Sequence, residues 1–276
     1  MALILDGKAV AQKIKYELRP ICAENDIKLT IFQVGDNPAS NTYVRNKVKA
    51  CDEVGMKSEV VKSYGDDYGR YQLVPKFLRD EDADGVMLQL PLPKGWDEQY
   101  FTNLIHKNQD ADCLTTAALG EFYASSNPTL APCTAQGIID LLDYYNIPIE
   151  GKHAVVVGRS NIVGKPAAHL LTCRNATVTL CHSKTSNLSE YTKQADILVV
   201  AIGKPKYITA DMIKDGAVVI DVGINRDENG KLCGDVDFHM MLDKTSAITP
   251  VPGGVGPMTV AELLKNTVKL YERKRK

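Results

Sequence analysis

Long apolar runs, cysteine pairs and an excess of either charge are all missing from this chain of 276 residues. No apolar run approaches the ~18 residues that cross a bilayer, so no membrane-spanning helix is expected. The 7 cysteines are scattered, with no C-x-x-C pair and no Cys/His spacing suited to zinc. They read as small buried hydrophobes or idle thiols, which excludes a disulfide frame and a metal cluster. With 33 basic against 34 acidic residues, the chain lacks the electrostatic footprint of a nucleic-acid binder. Its one basic run, Glu272-Arg273-Lys274-Arg275-Lys276, suits the end of a helix, where cations complement the dipole. The opening Met1-Ala2-Leu3-Ile4-Leu5-Asp6 is too short for a secretory apolar region and lacks a basic flank. A soluble, cytoplasmic protein is expected, with neither membrane nor nucleic-acid partner.

What is present alternates strand and helix. Leu29 to Val34 reads as a strand, followed by a helix from Pro38 to Gly55, a weaker strand at Ser58 to Val61, and a helix near Tyr68 to Arg79. Gly85 to Leu90 is the next strand, stopped by Pro91-Leu92-Pro93. Thr134 to Tyr145 looks helical between Pro132 and Pro148. Further strands are expected at Ala154 to Val157, Ala176 to Leu180, Ala195 to Val200, Gly216 to Asp221 and Ala247 to Thr249. From about Met258, Val260, Leu264, Val268 and Tyr271 share one helical face, a stripe that must pack on something. Strands separated by helices imply parallel sheets with helices on their faces, an α/β fold in two domains.

The most informative stretch is Gly158-Arg159-Ser160-Asn161-Ile162-Val163-Gly164. A buried strand precedes it and a helix follows, so its glycines and helix N-terminus suit a dinucleotide pyrophosphate. A plain tight turn between strand and helix has the same outline. At an NAD site, an acid about 20 residues beyond the glycines usually binds the ribose. None stands there. Arg159, His182, Ser183 and Lys184 offer donors and positive charge for a 2′-phosphate instead, which favours NADP over NAD.

In the first half, Asn37 can cap the helix that begins with Pro38, with Ser40 as an alternative cap. Val44, Val48 and Cys51 form its expected buried stripe. Tyr43 and Lys47 stand at i and i+4 beside that stripe. A partly desolvated amine there is fitted for proton transfer and the ring for stacking, although a lysine lying along an aromatic face has the same spacing. Gln89 ends a strand at the carboxyl edge where parallel sheets bind ligands. Asp112 lies in a turn-like stretch after an expected helix end at His106-Lys107, and its carboxylate could accept two N–H groups of a heterocycle. Thr249 to Thr259 packs three prolines and three glycines into its first nine residues, a stiff loop that a ligand can approach closely, although a rigid interdomain hinge has the same composition.

Together these segments resemble the bifunctional methylenetetrahydrofolate dehydrogenase/cyclohydrolase family. The resemblance rests on Tyr43-Val44-Arg45-Asn46-Lys47, Gln89-Leu90-Pro91-Leu92-Pro93, Gly158 through Pro166, His182-Ser183-Lys184-Thr185, Ile220-Asp221-Val222-Gly223-Ile224-Asn225, and Thr249 through Thr259. It implies a folate-binding catalytic α/β domain of residues 1–120, with the last helix, 257–276, packed back on it. Residues 121–256 would form a Rossmann-like NADP-binding domain. The family's active site lies in the cleft between its domains, usually in a homodimer, and serves one-carbon metabolism for purine and amino-acid synthesis. The implied reaction oxidises 5,10-methylenetetrahydrofolate with NADP and hydrolyses the methenyl product to 10-formyltetrahydrofolate. Carried over, Lys47 is the acid/base, Gln89 tunes it, Tyr43 stacks on the folate and Asp112 anchors the pterin. Gly158, Arg159, Ser160, Ile162, Val163, Gly164, Ser183 and Ile224 line the cofactor, and Pro252, Gly253 and Gly254 face the folate.

Two positions depart from the family. Cys113 stands where glycine is usual after the aspartate, and Ala135 where proline usually follows Cys133-Thr134. A side chain at 113 could crowd the pterin. A monofunctional dehydrogenase with weakened hydrolysis, or a non-catalytic NADP-binding module, are the competing readings.

Overall fold

The computed structural model describes residues 2–63, 80 and 82–275. They divide into two compact units, one of Met1–Ala11 with Thr134–Thr259, the other of Gln12–Cys133 with Val260–Lys276. The chain opens with β1 (Leu3–Ile4) and α1 (Gly7–Glu24).

The Gln12–Cys133 unit holds a three-stranded parallel sheet in the order β3-β2-β4: β2 (Lys28–Val34), β3 (Lys57–Ser63) and β4 (Gly85–Gln89). The central β2 is buried from Leu29 to Val34, as expected of a parallel strand covered on both faces. α2 (Pro38–Val54) starts where the sequence predicts, because Asn37 accepts the backbone N–H of Ala39 and Ser40 and Pro38 needs no donor partner. Ser40 lies inside the helix, buried, and is not its cap. The buried stripe also differs: Val48 is half-buried, while Lys47 joins Val44, Ala50 and Cys51 in the core. The helix expected near Tyr68 to Arg79 lies outside the described residues. α3 (Glu98–Thr102) ends early, so His106 and Lys107 sit in turns instead of a helix end. α4 (Thr116–Ala124) follows, with Thr115 capping it.

The other unit carries an all-parallel sheet of six strands, β1-β11-β8-β7-β5-β6. After α5 (Cys133–Tyr144) come β5 (His153–Val157), α6 (Gly164–Cys173), β6 (Thr177–Cys181), α7 (Leu188–Thr192), β7 (Ile197–Val200) and β8 (Val218–Asp221). A short antiparallel ribbon, β9 (Asn225–Arg226) with β10 (Leu232–Cys233), precedes α8 (Phe238–Met241) and β11 (Ala247–Ile248). Val155, Val157, Leu198, Val200, Val219 and Ile248 form its apolar centre. The chain runs from β5 to β6 on one side, then returns to place β7 on the other. This reversal leaves a crevice beyond the carboxyl end of β5, where open α/β sheets take their ligands.

The unit boundaries depart from a division at residue 120. Leu3 N donates to Ser246 O at 2.9 Å and Leu5 N to Ile248 O at 2.9 Å, so the first residues are an edge strand of the six-stranded sheet. Residues 121–133 stay with the three-stranded sheet, where Phe122, Ala131 and Cys133 are buried. α9 (Val255–Lys274) supplies its residues from Val260 onward to that same unit, with Leu264, Val268 and Tyr271 buried. The C-terminal stripe is thus buried, as its spacing predicts, and it packs on the first half of the chain, as the family resemblance implies.

Candidate active site and nucleotide site

Lys47 projects from the buried face of α2 and is only 8% exposed. Its Nζ donates to Gln89 Oε1, 2.8 Å away at the carboxyl end of β4. Gln89 Nε2 donates to Leu90 O, which fixes the amide so that its oxygen faces the amine. Burial pushes the Lys47 amine below its ordinary pKa of 10.5, with Asp112 and Cys133 pulling weakly the other way. A neutral acceptor therefore holds this amine without pinning it as a cation. Tyr43, one turn earlier, is 40% exposed and presents its ring at the surface of the same helix.

Asp112 is half-buried in the segment after β4. That segment is anchored on both sides. Val86 N donates to Gln109 O at 2.6 Å and Ala111 N to Val86 O at 3.1 Å, extending the sheet by one bridge. Beyond it, the fully buried Asp110 accepts Leu114 N at 2.9 Å and Thr115 N at 2.7 Å through Oδ2. Burial raises the Asp110 carboxyl to about 6. Cys113, between these anchors, has φ 57, the left-handed conformation that favours glycine. Sequence reasoning passed over Asp110, Cys133 and Asn266, which lie around Asp112. Asn266 had no signal, since a single asparagine within a C-terminal helix looks like any solvated polar residue.

In the six-stranded unit, the turn from Gly158 to Val163 joins β5 to α6. Ser160 Oγ accepts Val163 N at 3.2 Å and Gly164 N at 3.4 Å. A Cβ on Gly164 would lie 2.0 Å from Gly158 O, so only glycine lets the helix start this close to the turn. A cavity of about 300 Å³ opens at the switch point, lined by Gly158, Arg159, His182, Ser183, Lys204 and Tyr207 among others. Three of the donors expected for a 2′-phosphate, Arg159, His182 and Ser183, meet there. Lys184, expected beside them, does not line it. Donor side chains, a helix N-terminus and a glycine turn fit the phosphates and adenosine of a dinucleotide.

Two buried carboxylates organise the rest of this edge. Asp235 accepts Ile202 N, Gly203 N and Lys204 N at 2.7–3.0 Å, as well as Asn225 Nδ2 at 2.8 Å. Asp221 accepts Gly223 N, Asp235 N and Val236 N at 2.9–3.0 Å. Seven donors satisfy two adjacent acids, and burial lifts Asp221 to about 6. A Cβ on Gly234 would lie 1.7 Å from Asp221 Oδ2, so the approach needs glycine. The sequence motif contained Asp221, yet its partner Asp235 was not legible. Only the fold brings positions 14 residues apart into one knot.

Ile224 is exposed in the turn after Gly223, and its Cδ1 lies 3.7 Å from where a Cβ on Gly256 would stand. The proline–glycine loop is tied down by Thr249 Oγ1, which accepts Asp221 N at 2.7 Å, and by Gly253 O, which accepts Lys8 N at 3.2 Å. Pro252 is exposed, whereas Gly253 and Gly254 are buried next to Lys8 and Gly7.

Comparison with known proteins decides the family. The description "Tetrahydrofolate dehydrogenase/cyclohydrolase, catalytic domain" matches residues 5–112, and "Tetrahydrofolate dehydrogenase/cyclohydrolase, NAD(P)-binding domain" matches 132–275. The chain belongs to the tetrahydrofolate dehydrogenase/cyclohydrolase family. It is 49% identical to the bifunctional protein FolD of Agathobacter rectalis over 281 residues, covering 99% of this chain and 100% of that one. A crystal structure of the bifunctional enzyme FolD from Campylobacter jejuni has a TM-score of 0.94 at 43% identity, over 99% of this chain and 100% of that chain. The Trypanosoma brucei methylenetetrahydrofolate dehydrogenase-cyclohydrolase, solved with NADP cofactor and inhibitor, has a TM-score of 0.93 at 36% identity, over 100% and 99%. The NAD(P)-binding match contains five of the six strands of the larger sheet, β5 to β8 and β11, and the catalytic-domain match contains Lys47 and Gln89. Among the described residues no helix is long and apolar enough to cross a membrane, and no group of His, Cys, Asp or Glu could hold a metal.

Proposed function

We propose that this protein oxidises 5,10-methylenetetrahydrofolate with NADP to the 5,10-methenyl cation and hydrolyses that cation to 10-formyltetrahydrofolate. The observation that carries this reading is the buried Lys47 amine held by Gln89 Oε1 at 2.8 Å in a chain of this family. Oxidation breaks a C–H bond of the one-carbon bridge and removes a hydride, and NADP when bound supplies the acceptor. The electron-poor carbon left between N5 and N10 then adds water. The C–N5 bond breaks as the new carbonyl forms, N5 takes up a proton, and one proton is released overall.

Lys47 moves those protons. Its burial favours the neutral amine, so it can take a proton from the attacking water and return one to N5. Gln89 keeps it aimed in either charge state. Asp112 accepts two N–H groups of the pterin and Tyr43 stacks on the folate, with the loop of Pro252, Gly253 and Gly254 as a further folate-binding element. On the nucleotide side, Gly158, Ser160, Ile162, Val163 and Gly164 cradle the pyrophosphate. Arg159 and Ser183 take the 2′-phosphate, and Ile224 lines the cofactor. Cytoplasmic residence as a homodimer completes the proposal. None of the seven cysteines is in a disulfide, which suits a reducing compartment. Sedimentation tests the dimer.

Purified protein should reduce NADP when given methylenetetrahydrofolate, without accumulating the methenyl cation. Lys47→Met should slow hydrolysis of that cation about a hundredfold or more while NADP binding, read by fluorescence, stays intact. Normal hydrolysis by this variant would end the role of Lys47. Failure of the parent to reduce NADP would end the functional reading.

A further inference from the structure

We infer that Asn266, on the last helix, is a positioning residue for pterin recognition: it clamps the backbone on which Asp112 is mounted. The inference rests on the role proposed above for Asp112, and its grounds are geometric. Asn266 is completely buried, and its Nδ2 donates to Ala111 O and Ala131 O, each at 3.0 Å. Ala111 immediately precedes Asp112. Ala131 stands two residues before Cys133, whose Sγ donates to the same Ala111 carbonyl at 3.3 Å. Asn266 Nδ2 also lies 3.5 Å from that sulfur. One side-chain amide therefore gathers two segments of chain, at Ala111 and at Ala131 to Cys133, that are 133 to 155 residues away in sequence.

The cost of this arrangement marks it as specific. Asn266 Oδ1 is buried and has no hydrogen-bond partner among the described residues. An apolar residue would avoid that cost but would orphan the Ala131 carbonyl, with its desolvation penalty, and leave the Ala111 carbonyl only the weak donor of the Cys133 thiol. The neighbouring Thr267 serves the same end. Its Oγ1 packs so closely on Gly85 that a Cβ there would lie 2.8 Å away. Gly85 begins β4, which ends in Gln89 and bonds Ala111 through Val86. The helix thus sets Asp112 in register with Gln89 and, through it, with Lys47. Without Asn266, only the weak Cys133 thiol holds the Ala111 carbonyl, so the peptide that carries Asp112 loosens and its carboxylate shifts relative to the pterin and the Lys47 amine.

The test uses the full-length protein and two variants, Asn266→Ala and Asn266→Ser, the hydroxyl of the latter retaining one donor should the former not fold. Binding of 5-formyltetrahydrofolate is measured by calorimetry well below the unfolding temperature, with NADP binding measured in parallel. We expect folate affinity to fall at least tenfold with NADP affinity unchanged. In an Asp112→Ala background the same substitution should have no further effect, since both act through one carboxylate. Unchanged folate affinity, or an equal additional loss in the Asp112→Ala background, would overturn the inference. Should the parent bind no reduced folate, the functional reading fails, and an NMR titration of the Lys47 side chain still decides the clamp. Asp112 pulls the Lys47 pKa upward, so release of Asp112 must lower it in Asn266→Ser as in Asp112→Ala. A Lys47 titration identical to the parent's would overturn the clamp by itself.

Discussion

A lysine along a helix edge usually lays its stem on apolar surface and keeps its amine in water. Lys47 instead takes its amine into the core, where Gln89 meets it. Spacing placed it beside Tyr43, but spacing alone could not say which way the amine would turn. Lys47→Arg keeps the charge yet cannot discharge, so hydrolysis of the methenyl cation should fall about a hundredfold or more, as its absorbance decay would report. Cys113 is the other position decided at this scale. Its left-handed φ of 57 suits glycine, and its buried side chain fills space beside Asp110. Relief of backbone strain and loss of packing nearly offset in Cys113→Gly, which should stay within about 1 kcal/mol of the parent. A β-branched Cys113→Val should lose about 2 kcal/mol or more in urea unfolding.

At the scale of elements, boundaries were legible wherever local chemistry sets them. Asn37 before Pro38 specified the start of α2, because the cap bonds lie within three residues. Asn37→Ala should destabilise the protein by about 1 kcal/mol in chemical denaturation and loosen the turn that precedes Tyr43 and Lys47. Gly158 and Gly164 were legible for the same reason. A methyl group at Gly164 would meet Gly158 O at 2.0 Å, so Gly164→Ala must push the turn away from α6. NADP affinity should drop more than tenfold in a fluorescence titration, with 5-formyltetrahydrofolate binding unchanged. The short β1 escaped notice, since two residues, Leu3 and Ile4, show no periodicity and are held only by β11, more than 240 positions later.

At the scale of the whole molecule, each unit contains a buried carboxyl lifted to about 6: Asp110 by the three-stranded sheet and Asp221 by the six-stranded one. A raised carboxyl favours the folded state only while it holds its proton. Below about pH 4 both folded and unfolded chains are protonated. Between about pH 4 and 6 the unfolded chain loses its proton first, so this contribution to stability is lost as pH rises through the folded value. Asp110→Asn removes that dependence. Its unfolding free energy relative to the parent should improve on the order of 3 kcal/mol from pH 4 to pH 7, measured by urea unfolding at both.

The sequence by itself determined the alternation of buried strands and capped helices, the glycine turn after β5, the absence of an acid for the ribose, and the candidate pair at Tyr43 and Lys47. All of these depend on neighbours within one or two turns, whose sterics and hydrogen bonds are local. Tertiary structure alone decided that Lys47 meets Gln89, that Asp221 accepts the backbone N–H of Asp235, and that Asn266 holds the peptide before Asp112. Those contacts join positions 14 to 155 residues apart, and a hydrogen bond between distant residues leaves no period or spacing in the chain that forms it.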